Sequence, residues 1–442
     1  MSQRSQNTRA HVSGRWSVFM LAAILVGSLS QIPPARAADG RSYQAMRDWL
    51  EAGKNAEPTF QAGQRLTAAD QEALKPFIPL PAWEYYLFPD MEMEITPTGT
   101  YPPPDDWGKN VIPGYELKDD GALVGFNGGG FPFPEITPTD PQAGVKVLWN
   151  MLWRPGGYTY LMPMVAWSRG EGGTLDRQME FTSTSAEFAQ GSFCLIPGYE
   201  EVKTKSITEF RSPRDMTGTK NINITYVDPY KEDAGWLYSP AQRKPRRLLS
   251  SERTSESNTS PDNIREDGYG FSGRVYNHTW KYLGTRTVLA TMNLADNPEA
   301  GGPHKWVPHK VRWELRDCHV IEQTPKDSSH PYSHKLVFID TETFWTVWMV
   351  AYDQHEQLFR MSQDFLKYSE SYAEEEPMQP PYMKVSYADN LGRNLFMHLG
   401  QTGINPQKPH ATYTHCYPVY KEFSAGRAKQ FFSLRNMVSG RR

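Results

Sequence analysis

From residue 157 onward the chain repeatedly alternates large apolar with polar side chains, and this period of two constrains the fold more than any other feature. Ile222, Ile224 and Tyr226 alternate with Asn223 and Thr225. Trp236 and Tyr238 alternate ahead of a turn at Ser239-Pro240, and a basic strand with Arg243, Lys244, Arg246 and Arg247 follows. Tyr276, Trp280 and Tyr282 repeat the pattern. So do Val311, Trp313, Leu315 and Ile321, set against Arg312, Glu314 and Arg316. Residues 336–340 and 343–352 read as a hairpin over Asp340-Thr341-Glu342. Such runs, joined by short turns with no helix between them, specify an antiparallel sheet. The 13% aromatic content and the 35 prolines point the same way, because aromatics favour strands and proline favours turns.

Helical signals are confined to the first third. Ser42 caps a predicted helix through Leu50, with Tyr43, Met46, Trp49 and Leu50 on one face. Thr67-Ala68-Ala69-Asp70 has the form of a capping box ahead of a short helix ending at Pro76. Asp140 is expected to cap a third helix, with Pro141 at its first position and Val147, Leu148 and Met151 along it. Residues 79–108 are Pro-rich and irregular, and the Ser-, Asn- and Asp-rich stretch 248–267 is expected to be a mobile loop.

The N-terminus reads as a secretory signal. Arg4, Arg9 and Arg15 precede an apolar run from Trp16 to Leu29, and Pro33-Pro34 leads to small residues at Ala35 and Ala37. The run falls short of the ~20 apolar residues of a membrane-spanning helix, which argues against an uncleaved anchor. Cleavage after residue 37 removes four Arg and no acid. The basic count falls from 47 to 43 against 50 acidic residues, and the net charge moves from −3 to about −7. That balance argues against nucleic acid as a partner. The expected organisation is a signal peptide over 1–37 and one domain over 38–442. Within it, 38–155 is a helical, Pro-rich lead-in, 156–368 the main sheet and 369–442 a C-terminal extension.

Chemistry-bearing motifs are sparse. Cys194, Cys318 and Cys416 form no Cys-x-x-Cys pair, so they are either one disulfide and a free thiol or three buried small apolar residues. His330 and His334 have ligand spacing for one helix face, but Pro331 between them opposes a helix, and no metal is expected. His304 and His309 lie in a Pro-rich loop and read as structural. There is no Gly-x-Ser-x-Gly elbow and no zinc-protease His-Glu pair, so neither a catalytic residue nor a cofactor is assigned. A wide antiparallel sheet must instead fill one of its faces, either with a core or with a ligand.

Several segments together resemble one family. Gly130-Phe131-Pro132-Phe133-Pro134 and Leu148-Trp149-Asn150 come first. Then follow Tyr226-Val227-Asp228-Pro229, Gly235-Trp236-Leu237-Tyr238-Ser239-Pro240, Arg243 to Arg247 and Trp280-Lys281-Tyr282-Leu283-Gly284. Trp313-Glu314-Leu315, Val320-Ile321-Glu322, Phe338-Ile339-Asp340 and Tyr352-Asp353 complete the series. In this order they resemble the proteobacterial domain of unknown function 1329, although Phe338 stands where a Tyr is common and the loop 298–309 is unusual. That family is grouped with outer-membrane lipoprotein-sorting, LolA/LolB-like proteins. The resemblance implies an α+β fold: a large curved antiparallel sheet forming an unclosed half-barrel, with helices covering its concave face. It further implies a periplasmic carrier or chaperone that holds a lipid or other hydrophobic molecule, working with an inner-membrane exporter or outer-membrane protein.

Strand alternation nominates Trp236, Tyr238, Tyr276, Trp280, Trp313, Leu315 and Phe338 as cavity-wall residues, the alternative for each being an ordinary core position. Arg243, Arg246 and Arg247 are the candidates for contact with a head group or partner, set against a solvated strand end. Two other classes remain open. One is a non-catalytic assembly subunit of an envelope complex. The other is an enzyme on a hydrophobic substrate, with His278 or His319 in a polar cluster inside the cavity.

Overall fold

The structure, a computed structural model, describes residues 40–439 except 110, 127, 156–158, 189–199, 374–377 and 422. The signal-peptide reading over 1–37 and Cys194 therefore lie outside the described residues. The lead-in contains α1 (Tyr43–Ala52), β1 (Arg65–Thr67), α2 (Gln71–Leu74), α3 (Trp83–Tyr86) and β2 (Glu92–Ile95). A small hairpin of β3 (Glu116–Leu117) and β4 (Leu123–Val124) and then α4 (Ala143–Leu152) complete it. Six strands follow: β5 (Thr159–Gly170), β6 (Leu175–Glu187), β7 (Val202–Ser212), β8 (Lys220–Tyr226), β9 (Ala234–Tyr238) and β10 (Pro245–Leu248). Residues 249–277 lead to β11 (His278–Ala290) and a second small hairpin, β12 (Glu299–Gly301) and β13 (Val307–His309). Then come β14 (Val311–Pro325), β15 (His334–Asp340), β16 (Thr346–Tyr352), β17 (Leu358–Tyr368), β18 (Phe396–Asn405), β19 (His410–Cys416) and β20 (Val419–Tyr420). Helices α5 (Ala425–Phe431) and α6 (Leu434–Ser439) end the described chain.

The helix starts follow their capping chemistry. Ser42 Oγ accepts from the Ala45 N–H at 3.2 Å, and the Thr67–Asp70 box closes. At the third helix, Asp140 Oδ1 accepts from Gln142 N–H at 2.8 Å, and the helix proper begins two residues later than expected, at Ala143.

Sixteen strands make one sheet in the order β1-β2-β14-β15-β16-β17-β18-β19-β5-β6-β7-β8-β9-β10, with β11 beside β14 and β20 beside β5. Every pairing is antiparallel except the short β2–β14 contact. The two ends do not pair, so the sheet is unclosed. It does not stop at residue 368, because β18, β19 and β20 from the C-terminal part supply its middle.

The two halves of the sheet are covered differently. In β14–β16, Val320, Leu336, Phe338 and Trp348 pack against Met46, Trp49, Phe77 and Tyr86 of the lead-in. The other face, with Ile321, Val337 and Ile339, packs against Val147, Leu148 and Met151 of α4. Covered on both sides, these strands read as continuous apolar runs, such as Leu336 to Ile339 and Val347 to Ala351, rather than as alternation. In β6–β9 one face, with Ala186, Ile207 and Ile222, is covered by Ala428, Phe432 and Met437 of α5 and α6. The opposite face carries the polar partners of the alternation.

Residues 249–277 form a strap that joins β10, at one end of the sheet, to β11, at the other. The sequence reading of 248–267 as a mobile loop does not hold over 260–267, where Ser260, Asp262, Asn263, Ile264, Glu266 and Asp267 are all buried. Asp267 accepts from Lys335 Nζ at 3.1 Å and Tyr332 Oη at 2.6 Å. Glu266 accepts from Gln323 Nε2 at 3.0 Å and lies 3.2 Å from His330 Nε2. Burial alone would raise the Glu266 carboxyl, but the His330 bond and the Lys335 and His278 charges outweigh it and hold it down at about 2. Polar composition suggested solvent; here the polar groups are partners for buried groups on the sheet.

His410 on β19 ties the strap at a third point. Its Nδ1 lies 2.8 Å from Asp262 Oδ2 and its Nε2 3.1 Å from Asp176 Oδ2. The Asp262 bond raises its pKa above the ordinary 6.5, against the effect of burial. A raised pKa in the folded state contributes stability that is complete below the unfolded value and is lost as pH rises through the folded one. The urea midpoint of the native chain should therefore exceed that of His410→Gln by more at about pH 6 than at about pH 9. An equal difference at both would show that this contact carries no proton linkage.

Candidate functional site

The strap-side face of β5–β8 is the floor of a cavity. Register places Tyr160, Ser185, Ser206 and Asn223 in one row across the strands, and Met162, Ser183, Thr208 and Asn221 in the next. Thr204 and Thr225 join at 2.7 Å between their hydroxyls in a neighbouring row beside Glu187. Over this floor lie two adjoining spaces of about 540 Å³ and 300 Å³, which share Tyr160, Met162, Glu187, Tyr269 and His398 in their walls. Hydroxyl and amide side chains line the larger one. The smaller one is walled by Trp149 and Trp153 at the end of α4, Tyr269 and Phe271 of the strap, Trp345 and Phe396. Both volumes fall within the ~300–1,000 Å³ range of sites that hold one small molecule.

Three charged side chains face the smaller space: Arg154 just past α4, Glu187 at the end of β6 and Lys203 at the start of β7. Each keeps some accessible surface because it borders the cavity, but the surrounding protein hydrates its charge poorly. Burial lowers the Arg154 guanidinium to about 10, raises the Glu187 carboxyl and lowers the Lys203 ammonium. The Arg154 guanidinium lies 4.0 Å from the Trp345 ring centre, and the Lys203 ammonium 3.9 Å from that of Trp153. Lys203 donates to Leu152 O at 2.8 Å and Arg154 to Met151 O. Arg154 Nε and Glu187 Oε2 meet no partner. The other charged groups of the wall are paired among themselves. Arg274 and Arg253 share Asp233, Lys335 holds Asp267, and Arg246 and Arg265 hold Glu252.

His398 reaches both spaces. Its Nε2 is 2.9 Å from Asp364 Oδ1 and its Nδ1 3.7 Å from Cys416 Sγ, a thiol–imidazole–carboxylate arrangement. Cys416 is fully buried, and burial pushes its thiol well above the ordinary value. A nucleophilic cysteine needs the reverse, partial exposure and a lowered pKa. Cys318 is likewise free and buried, so the two described cysteines do not pair. Among the described residues no group of three or more side chains is arranged to hold a metal ion.

The family model described as a protein of unknown function, DUF1329, matches residues 86–422. The chain belongs to the DUF1329 family. No curated protein matches it. Among solved structures, a DUF1329 protein from Desulfovibrio piger ATCC 29098 is 17% identical; the likeness covers 68% of this chain and 100% of that one, with a TM-score of 0.45. A domain described as an outer membrane lipoprotein-sorting protein, from Vibrio parahaemolyticus, is also 17% identical over 68% and 100%, with a TM-score of 0.44. The LolA superfamily protein NE2245 from Nitrosomonas europaea is 11% identical over 64% and 93%, with a TM-score of 0.36.

In this DUF1329 protein, none of the seven nominated wall residues lines either space. Trp313 and Phe338 are buried in the core under the lead-in, with Leu315 packed at its edge. Trp280 stands one layer behind the wall, 4.7 Å from the ring of Phe271, and donates to Val275 O at 3.0 Å. Trp236 and Tyr238 pack toward α5 and α6. Tyr276 stacks near Tyr230 at 5.5 Å. Arg243, Arg246 and Arg247 are exposed on or beside the edge strand β10 and do not reach either space. His278 and His319 are bound to Gln323 and Tyr282, and burial lowers each to about 4; neither borders the cavity. His334 stacks on Tyr43 at 4.2 Å, away from His330.

Alternation identifies two faces but not which of them meets a cavity. Here the apolar face of β6–β9 turns to helices and the Ser, Thr and Asn face turns to the cavity. The signal available for the missed trio was Glu187, a lone carboxylate closing the neutral run Phe181-Thr182-Ser183-Thr184-Ser185-Ala186. Phe338→Ala tests the core assignment. Its side chain is fully buried, with Trp49 edge-on at 6.3 Å, and its loss should cost about 3–5 kcal/mol in urea unfolding. A cost below ~1 kcal/mol would be that of an accessible wall residue.

Proposed function

We propose that this protein is an exported, periplasmic carrier that holds one hydrophobic or amphipathic small molecule under the strap and passes it between envelope components. The observation that supports this is the aromatic-walled space bordered by Arg154, Glu187 and Lys203, with Arg154 Nε and Glu187 Oε2 left without hydrogen-bond partners. Such a combination of apolar wall and few convergent polar groups is the usual form of a small-molecule site. Burying hydrocarbon there removes a cost of about 0.8 kcal/mol per methylene exposed to water. Rigid aromatic walls and Met162 suit guests of varied shape. The volume favours one small molecule over a bundle of long acyl chains.

Carriage suits the site better than catalysis. The thiol nearest the cavity is enclosed, and the histidine beside it is already engaged by Asp364. No helix among the described residues is long and apolar enough to cross a membrane. On this reading the exposed arginines of β10 serve contact with a partner rather than with cargo. That partner is an inner-membrane exporter or an outer-membrane protein, and an exposed edge strand offers it backbone groups to pair with.

Native mass spectrometry of the chain, expressed with its own N-terminus and purified from the periplasm without detergent, should show a reproducible added mass that organic solvent removes. Met162→Trp places bulk in both spaces and should abolish that added mass while leaving the far-ultraviolet circular dichroism spectrum unchanged. Protein that stays bare, before and after incubation with a lipid extract, would exclude the carrier reading.

A further inference from the structure

We propose that the cavity takes a carboxylate-bearing amphiphile, with its hydrocarbon against the aromatic wall and its carboxylate between Arg154 and Lys203. This rests on the carrier reading and narrows its cargo to a chemical class. Arg154 and Lys203 both border the space, each lying over an indole ring. Arg154 donates to Met151 O and Lys203 to Leu152 O, both main-chain carbonyls. Neither forms an ion pair with Glu187 within 4.0 Å, so the trio remains open toward the space rather than closed on itself. The trio carries one net positive charge with Glu187 ionised and two with it protonated, so in either state it favours an anion.

The donor geometry is consistent with that charge. A guanidinium offers a planar fork to the two oxygens of a carboxylate, and Arg154 Nε meets no acceptor in the protein. The Lys203 ammonium adds a further donor in the same wall. Low hydration strengthens each of these attractions and makes an uncompensated charge costly. A bound carboxylate relieves that cost, whereas an alcohol or ester of the same chain does not. Glu187 competes with the guest for the same cations, which leaves the strength of head-group binding sensitive to this one residue.

The test compares decanoate, decan-1-ol and methyl decanoate as probes, by calorimetric titration and native mass spectrometry on the solvent-stripped full chain. Decanoate should bind about ten- to a hundredfold more tightly than the other two, the range of a charge-assisted hydrogen bond. Lys203→Met should lower decanoate affinity about tenfold and leave decan-1-ol unchanged. Glu187→Gln, close to isosteric and kept as the variant least prone to misfold, should raise decanoate affinity. Decanoate binding no tighter than decan-1-ol, and unmoved by Glu187→Gln, would overturn the head-group assignment while leaving the carrier reading intact. Uptake of none of the three would overturn both.

Discussion

The buried ion pair between Asp267 and Lys335 fixes the strap, and with it the site. Both side chains are essentially without solvent, at 1% and 0% exposure, so each depends on the other to offset its desolvation. Removing one partner of such a pair leaves an uncompensated charge and costs about 3–5 kcal/mol. Two residues further on, Tyr269 adopts a left-handed backbone conformation, with φ of 52°, and sets its ring edge-on to Trp345 and His398. Phe271 follows and packs on Trp280. The aromatic roof of the cavity is thus placed by an electrostatic anchor on the sheet.

That anchor matters because the sheet does not close. A closed barrel satisfies its edges by pairing and fills its interior with side chains. Here β10 and β11 lie at opposite ends and are joined only by the strap. The half of the sheet under the lead-in and α4 is packed on both sides. Strands β6–β8 are packed on one side by α5 and α6, and their other side presents Ser, Thr and Asn rows that need polar company. Wetting those rows is cheap, so a space can persist there without collapse. An apolar face in the same place would be driven to close.

These physical differences explain which parts were legible in the sequence. Antiparallel pairing over Ile222–Tyr226, Trp236–Tyr238 and Val311–Ile321 follows from period-two alternation, which is a local property. The Ser42 cap and the Thr67–Asp70 box are equally local, and both form. The family resemblance also lay in contiguous segments, and the family match over 86–422 agrees with it. The cavity is a different kind of feature. Its wall combines the end of α4, the strap and strands β5–β8 and β18, brought together only by strand order. Arg154, Glu187 and Lys203 are separated by up to ~50 positions, and no periodicity links them. The strap was misread because Asp262, Glu266 and Asp267 look like solvent-facing residues unless Lys335, His330 and His410 are known to lie opposite.

The two ends of the strap are held with unequal strength, and this bears on how a guest reaches the site. From Asp262 to Phe271 the contacts are buried. Before that, the strap is tied by pairs such as Glu256–Lys408, 48% and 63% exposed. Exposed pairs of this kind contribute ~0–1 kcal/mol and weaken with salt. Apart from the half-buried Arg253–Asp233 pair, the strap at 249–260 is therefore tied more weakly than at 262–271. The more weakly tied side lies over the larger, polar-lined space, since Ser257, Asn258 and Thr259 border it. On the proposed carrier reading, a guest entering there would meet hydroxyls and amides first and the aromatic wall, with Arg154 and Lys203, last. An amphiphile following this path has to pass its head group across the polar floor before its hydrocarbon is buried. The hydrogen bonds available along the Ser and Asn rows keep that passage from requiring a bare charge in an apolar medium.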